Sequence, residues 1–201
     1  LNKIGLSRKR NLWVPRLLRS SPTGNRDDLK RQEFQERLKT KNAAQIVYVD
    51  EAGIDNREDY ADGYCEIGDR FYALKNGKRS ERVSWVSALK HGKLFVLITF
   101  AGTCNRALFE LWLAECLIPL SQSGGVIVTD NASFHRSPTI EEMVTEAGCE
   151  IGYLPPYSPD LNEIEHWWFE LKNWMRQRWD KFDSFRDCVD AVFRKCPNVP
   201  A

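Results

Sequence analysis

Leu154-Pro155-Pro156-Tyr157-Ser158-Pro159-Asp160-Leu161-Asn162-Glu163-Ile164-Glu165-His166-Trp167-Trp168-Phe169-Glu170-Leu171-Lys172 is the stretch on which the fold turns. Pro155, Pro156 and Pro159 fix φ and remove backbone donors, so neither a strand nor a helix can run through them. From Leu161 the chain becomes a helix-forming run that we expect to reach Trp179. A rigid turn therefore delivers the start of a helix to a fixed place. Asp160 or Asn162 is suited to cap it, and Glu163 and Glu165 fall in its first turn, where the helix dipole favours negative charge. Two positions along a helix amount to roughly 200° of rotation, so the two glutamates cannot face the same way. Ile164, Trp167, Trp168 and Leu171 make an apolar face with Glu165 on its border, which selects Glu165 as the inward carboxylate and Glu163 as the solvent-facing one.

Complementing the dipole would account for both glutamates if they stood alone. Two other segments change that reading, because Tyr48-Val49-Asp50 and Ile127-Val128-Thr129-Asp130 each end an apolar strand in an aspartate. Strands are expected at 45–50, 82–89, 93–100, 125–130 and 149–154, the second and third joined at Lys90-His91-Gly92 as a hairpin. Helices are expected at 27–41, with Leu29, Phe34 and Leu38 near one face, and at 105–120, 137–147, 161–179 and 184–195. Ser137, Pro138 and Gly148 supply the cap, first residue and stop of the third of these. Residues 51–81 read as a polar excursion that includes Tyr64 to Ile67. Hairpin-connected strands followed by strands alternating with helices imply an α/β fold, a mixed five-stranded sheet with helices on both faces. Its first and fourth strands can lie side by side and parallel, which would bring Asp50 and Asp130 about one strand spacing apart, ~4.8 Å.

Two carboxylates that close cannot both ionise comfortably without a cation, and hard oxygen ligands select Mg²⁺ or Mn²⁺. A third carboxylate, from Glu165, completes a site able to hold two metals ~3.5 to 4 Å apart, the arrangement used for in-line attack on phosphodiesters.

Composition is compatible with such a partner. The net charge is +1, yet residues 1–26 carry Lys3, Arg8, Lys9, Arg10, Arg16, Arg19 and Arg26 with no Asp or Glu, so this segment holds +7 and the remainder −6. A basic arm on an acidic body suits a polyanion, with Arg8, Lys9 and Arg10 as DNA contacts; a solvated tail is the competing reading. We expect 1–26 to be a linker, with one amphipathic patch at Leu12 to Leu18. Six cysteines without a Cys-x-x-Cys pair suit buried thiols in a reducing cytoplasm rather than disulfides or zinc. No apolar run approaches the ~18 to 20 residues of a membrane span, and no signal peptide is visible, so no membrane is expected. The first residue is Leu, and we expect the sequence to be a fragment or one reading frame of a longer protein.

Tyr-Val-Asp-Glu at 48–51, Thr-Asp-Asn-Ala-Ser-Phe-His at 129–135 and the block at 154–166 together resemble the catalytic blocks of the IS630 and Tc1/mariner superfamily of transposases. The 34 residues between Asp130 and Glu165 agree with the spacing that names the DD34E group. The resemblance covers roughly residues 45 to 180. It implies an RNase H-like fold over 27–201, with Asp50, Asp130 and Glu165 as the metal-binding catalytic triad. It also implies Mg²⁺, with Mn²⁺ able to substitute, double-stranded DNA as partner and a homodimer on DNA. The family excises a DNA element at its ends and joins the freed 3′ hydroxyls to a TA-containing target, here in a bacterial cytoplasm at the nucleoid. Two departures stand out: Glu163 lies where many relatives have proline, and only the tail of an upstream helix-turn-helix region is represented by 1–26.

Around the triad, Asn131 and His135 are suited to orient DNA or a metal-bound water, with an ordinary structural hydrogen bond as the equal alternative. His166 lies beside the proposed catalytic glutamate, near phosphate or on a plain surface. Lys172, Arg176 and Arg178 are candidate phosphate contacts on the same helix, against a solvated face. A catalytically dead relic that only binds DNA or oligomerises is the competing function, and an RNase H-like nuclease without strand transfer is a third.

Overall fold

The computed structural model describes residues 6–10, 27–55, 62–66 and 81–195. In chain order its strands are β1 (Leu6–Arg10), β2 (Ile46–Asp55), β3 (Asp62–Glu66), β4 (Arg82–Lys90), β5 (Lys93–Ala101), β6 (Val126–Thr129) and β7 (Glu150–Tyr153). Its α-helices are α1 (Asp28–Lys39), α2 (Arg106–Trp112), α3 (Pro138–Glu146), α4 (Ile164–Arg176) and α5 (Phe185–Lys195). Five strands form one mixed sheet in the order β5-β4-β2-β6-β7. β2 lies between an antiparallel β4 and a parallel β6, so the first and fourth strands of the expected five are neighbours.

Period-two alternation along β2 divides the core. Val47 and Val49 pack with Phe109, Trp112, Ile140 and Val144 of α2 and α3. Ala52 and Ile54 point the other way, with Ile164, Trp168 and Leu171 of α4 and Val189 and Phe193 of α5. Helix α1 lies on that second side too, since Phe34 joins Val126, Val128 and Leu154, and Tyr48 touches both groups. Helices thus cover both faces. Val49, Leu94 and Ile164 are fully buried, and burial of that kind stabilises the fold by about 1.5–3 kcal/mol per side chain.

Local chemistry explains most boundaries. The β4–β5 hairpin turns through His91 (φ 52°) and Gly92 (φ 69°), the paired positive φ values that a tight two-residue turn requires. Ser137 Oγ accepts from the Ile140 N–H at 3.2 Å, capping α3 ahead of Pro138, and Gly148 ends that segment at φ 71°. The expected helix over 105–120 is continuous in space but changes pitch: a π turn spans Leu113–Leu117 and a 3₁₀ turn Ile118–Leu120. Pro119 lacks an N–H and its ring crowds the carbonyl four residues back, which the altered pitch accommodates.

Several expectations are corrected. β2 does not stop at Asp50 but continues to Asp55, because β4 keeps pairing with it as far as Arg82 after β6 has ended. Leu29 is exposed, and Arg31 is the residue that α1 buries beside Phe34, its guanidinium held by both oxygens of Asp160 at 3.0 and 2.6 Å. Neither Asp160 nor Asn162 caps the helix of the proline block. A 3₁₀ turn at Pro159–Leu161 intervenes and α4 starts at Ile164 with Glu163 as N-cap, without a side-chain bond. The helix ends at Arg176, and Trp179–Lys181 is a separate 3₁₀ turn. Within the basic segment 1–26, Leu6–Arg10 pairs antiparallel with Asp62–Glu66 in a two-stranded sheet. The amphipathic patch at Leu12 to Leu18 lies outside the described residues. Cys104, Cys116, Cys149 and Cys188 are free thiols, and no helix among the described residues is long and apolar enough to cross a membrane.

Candidate active site

The β2–β6 register runs Ile46–Val126, Val47–Ile127, Tyr48–Val128. Asp50 lies in β2 two residues past the last of these pairs, on the α4 side of the sheet, and Asp130 follows the end of β6 directly beside it. The proline block is then fastened to β2 at three successive residues. The Tyr48 hydroxyl donates to Glu163 Oε1 at 3.3 Å, the Asn162 side-chain amide donates to the Val49 carbonyl at 3.5 Å, and the Trp168 indole N–H donates to Asp50 Oδ2 at 2.8 Å. Trp168 follows Glu165 by three positions and shares its helix face. The contact that anchors α4 on Asp50 therefore brings Glu165 to the same place. Arg31 holds the turn from the opposite end through Asp160.

Electrostatics tie the three carboxylates together. Asp50 is buried, and burial, reinforced by the negative charges of Glu165, Glu51 and Asp130, holds its carboxyl well above the usual range despite the Trp168 bond. Glu165 is half-buried; burial raises it, with Asp130 and Glu51 adding to the rise and Lys172 and His166 opposing it. Asp130 behaves differently. Burial would raise it, but hydrogen bonds to Oδ1 from His135 Nδ1 (2.6 Å) and the Ala132 N–H (3.0 Å) outweigh that and hold it low. His135 has no exposed surface; burial would lower its pKa, yet Asp130 and Glu51 push it up to about 9.

Asp50, Asp130 and Glu165 thus form an oxygen-only set, with Glu51 on the far side of β2 against His135. That donor chemistry fits Mg²⁺ or Mn²⁺ rather than a soft metal. Among the described residues no three His, Cys, Asp or Glu side chains are already closed into a ligand cage.

Asn131 and His166 are exposed next to Asp130 and Glu165. Lys172 and Arg176 are half-buried on α4, with Arg176 donating to Asn173 Oδ1 at 3.2 Å. Arg8, Lys9 and Arg10 lie on β1, opposite Tyr64, Gly63 and Asp62. One expected DNA contact is corrected: His135 is sealed between Phe109 and Phe134, with ring centroids 4.3 Å away on each side, and its nitrogens face carboxylates. It takes the structural alternative.

A model of the DDE superfamily endonuclease family matches residues 45–187, well over half of the 201-residue chain. The chain belongs to the DDE superfamily endonucleases. Among solved structures, the catalytic domain of Mos1 mariner transposase superposes with a TM-score of 0.60 at 16% identity, covering 92% of this chain and 85% of that one. A pre-cleavage Mos1 transpososome gives 0.56 at 16% identity, covering 96% and 65%. The Mos1 catalytic domain with raltegravir and Mn also gives 0.56 at 16%, covering 84% and 78%. These likenesses establish the RNase H-like fold. The uncharacterized protein y4pE/y4sA of Sinorhizobium fredii (strain NBRC 101917 / NGR234) is 32% identical over 72 residues, 35% of this chain, which spans 47% of that protein.

For a DDE endonuclease, the sequence alone does not reveal the residues that hold the three candidate carboxylates. Trp168 reads in the sequence as part of an apolar face, although its indole N–H needs a partner when buried. Glu51 reads only as Asp50's neighbour. Its place on the opposite side of β2 follows from alternation once the strand is known to run past Asp50.

Proposed function

We propose that this DDE endonuclease is a transposase of the IS630 and Tc1/mariner type, cutting DNA at the ends of its element and joining the freed 3′ hydroxyls to a TA-containing target. The observation that carries the proposal is the convergence of Asp50, Asp130 and Glu165 from two parallel strands and one helix start into a single electrostatic neighbourhood. These three residues would hold Mg²⁺ or Mn²⁺, up to two ions. When bound, such ions activate the attacking water or 3′ hydroxyl and stabilise the leaving oxygen of the phosphodiester.

The chain's own residues do the remaining work. Trp168 fixes the Asp50 carboxylate against α4, His135 and the Ala132 N–H keep Asp130 ionised, and the Arg31–Asp160 pair holds the turn that aims α4. Asn131 and His166 stand exposed beside the carboxylates, where they can meet DNA, and Lys172 and Arg176 extend that side along α4. Arg8, Lys9 and Arg10 would add positive charge for binding a polyanion. A homodimer holding both ends would let cutting and joining be coordinated, and the bacterial nucleoid is where such a protein would meet its substrate.

The test uses duplex DNA carrying the repeats that flank the coding sequence, supplied with Mg²⁺ and a TA-containing target plasmid. The proposal expects end cleavage and joined products with the wild-type chain and neither with Asp130→Asn. Cleavage without joining would reduce the protein to a nuclease. Binding without cleavage by well-folded wild-type protein would favour a catalytically silent relic.

A further inference from the structure

Glu51, His135 and Asp130 form a line that crosses from one strand to its neighbour. Glu51 leaves β2 on the side away from α4, and its Oε2 is 3.2 Å from His135 Nε2. The other ring nitrogen, Nδ1, is 2.6 Å from Asp130 Oδ1 and 3.2 Å from Thr129 Oγ1. The ring is completely buried, with Phe109 and Phe134 on either side. An imidazole buried at this depth costs free energy unless its nitrogens are matched, so packing alone does not explain a histidine here. The match is lopsided in a useful way. Asp130 Oδ1 accepts from both His135 and the Ala132 N–H, whereas Oδ2 takes no such bond among the described residues.

We propose that His135 is a positioning residue for Asp130: it captures Oδ1 and leaves Oδ2 as the ligand oxygen, while Glu51 sets the orientation of the ring. This rests on Asp130 being a metal ligand. Ligating carboxylates are commonly held by such outer hydrogen bonds, and losing one lowers metal affinity by about 10–100-fold. Glu51 acts one step further out and should matter less than His135.

The test is Mn²⁺ affinity of the DNA-free protein, followed by the loss of the free-ion paramagnetic resonance signal, with folding checked by circular dichroism. His135→Phe keeps an aromatic ring between Phe109 and Phe134 and should bind Mn²⁺ about 10–100-fold more weakly. His135→Asn places an amide donor near the former Nδ1 and should recover much of that affinity, which a purely packing role would not produce. Wild-type affinity in His135→Phe, or no recovery in His135→Asn with both variants folded, would overturn the proposal. If the wild-type chain itself fails to bind Mn²⁺, the metal assignment fails instead. The imidazole ¹⁵N spectrum then decides the contact: Asp130→Asn should move the His135 Nδ1 resonance and Glu51→Gln the Nε2 resonance. An Nδ1 resonance indifferent to Asp130 would reject the line altogether.

Discussion

Asp50 lies within β2 and Asp130 just past the end of neighbouring β6, yet their surroundings are opposite. Asp50 is 8% exposed and held at one oxygen by a neutral indole, with three carboxylates raising its proton affinity. The Asp130 side chain is 48% exposed and bonded to a histidine whose pKa is raised to about 9, so its own proton affinity is lowered. The same residue type thus serves as a strained charge in one place and a settled one in the other. In the proposed metal centre Asp50 would supply the electrostatic demand for a cation, and Asp130 a ligand that stays ionised without one.

Removing either charge should be equally fatal to activity. Asp50→Asn, Asp130→Asn and Glu165→Gln are each expected to lower end cleavage by more than about 100-fold, beyond the loss typical of an outer-layer residue. Glu163→Gln should leave it within about twofold, because amide oxygen can still accept from Tyr48. A reversed result for the two glutamates would mean that α4 presents the other one to the metal.

Stability of the metal-free protein should separate the two aspartates by sign. Asp130→Asn weakens a charge-assisted bond and leaves the buried His135 facing a poorer partner, at a cost of about 1–3 kcal/mol in denaturant unfolding. Asp50→Asn removes a buried charge repelled by three others while keeping an acceptor for Trp168, so it should be neutral or stabilising. Equal destabilisation by both would erase the contrast between the sites.

Smaller effects sharpen it further. Trp168→Phe preserves the ring but strips Asp50 of its donor, and is expected to lower activity by about tenfold. Asp160→Ala leaves Arg31 buried without its bidentate partner and should cost about 1–3 kcal/mol, with activity falling as α4 loosens. The pH profile gives the subtlest signal. His135 has a folded pKa of about 9 against 6.5 for the free group, so its contribution is complete below pH 6.5 and fades as pH rises through about 9. The metal-free melting temperature should therefore decline between those values, and His135→Phe should flatten that decline.

The carboxylates were legible in the sequence because strands and turns leave local signals. Apolar runs ending in Asp50 and Asp130, and prolines ahead of Glu165, are readable residue by residue. What remained hidden depends on contacts between distant segments. Asp160 and Asn162 look like helix caps until Arg31, 129 positions away from Asp160, claims the first and the Val49 carbonyl engages the second. β2 looks finished at Asp50 because Glu51 to Asp55 are of mixed polarity, and only pairing with β4 extends it. His135 looked as suited to DNA as to structure, since nothing local reveals that Phe109 and Phe134 enclose it.

The most direct measurement is an anomalous difference map from a crystal of the wild-type chain soaked in Mn²⁺. Asp50, Asp130 and Glu165 as one metal centre predicts one or two peaks bounded by those three carboxylates, and none in Asp130→Asn crystals soaked identically. Peaks at Glu163 or elsewhere on the surface, with the triad empty in protein that cleaves DNA, would contradict it.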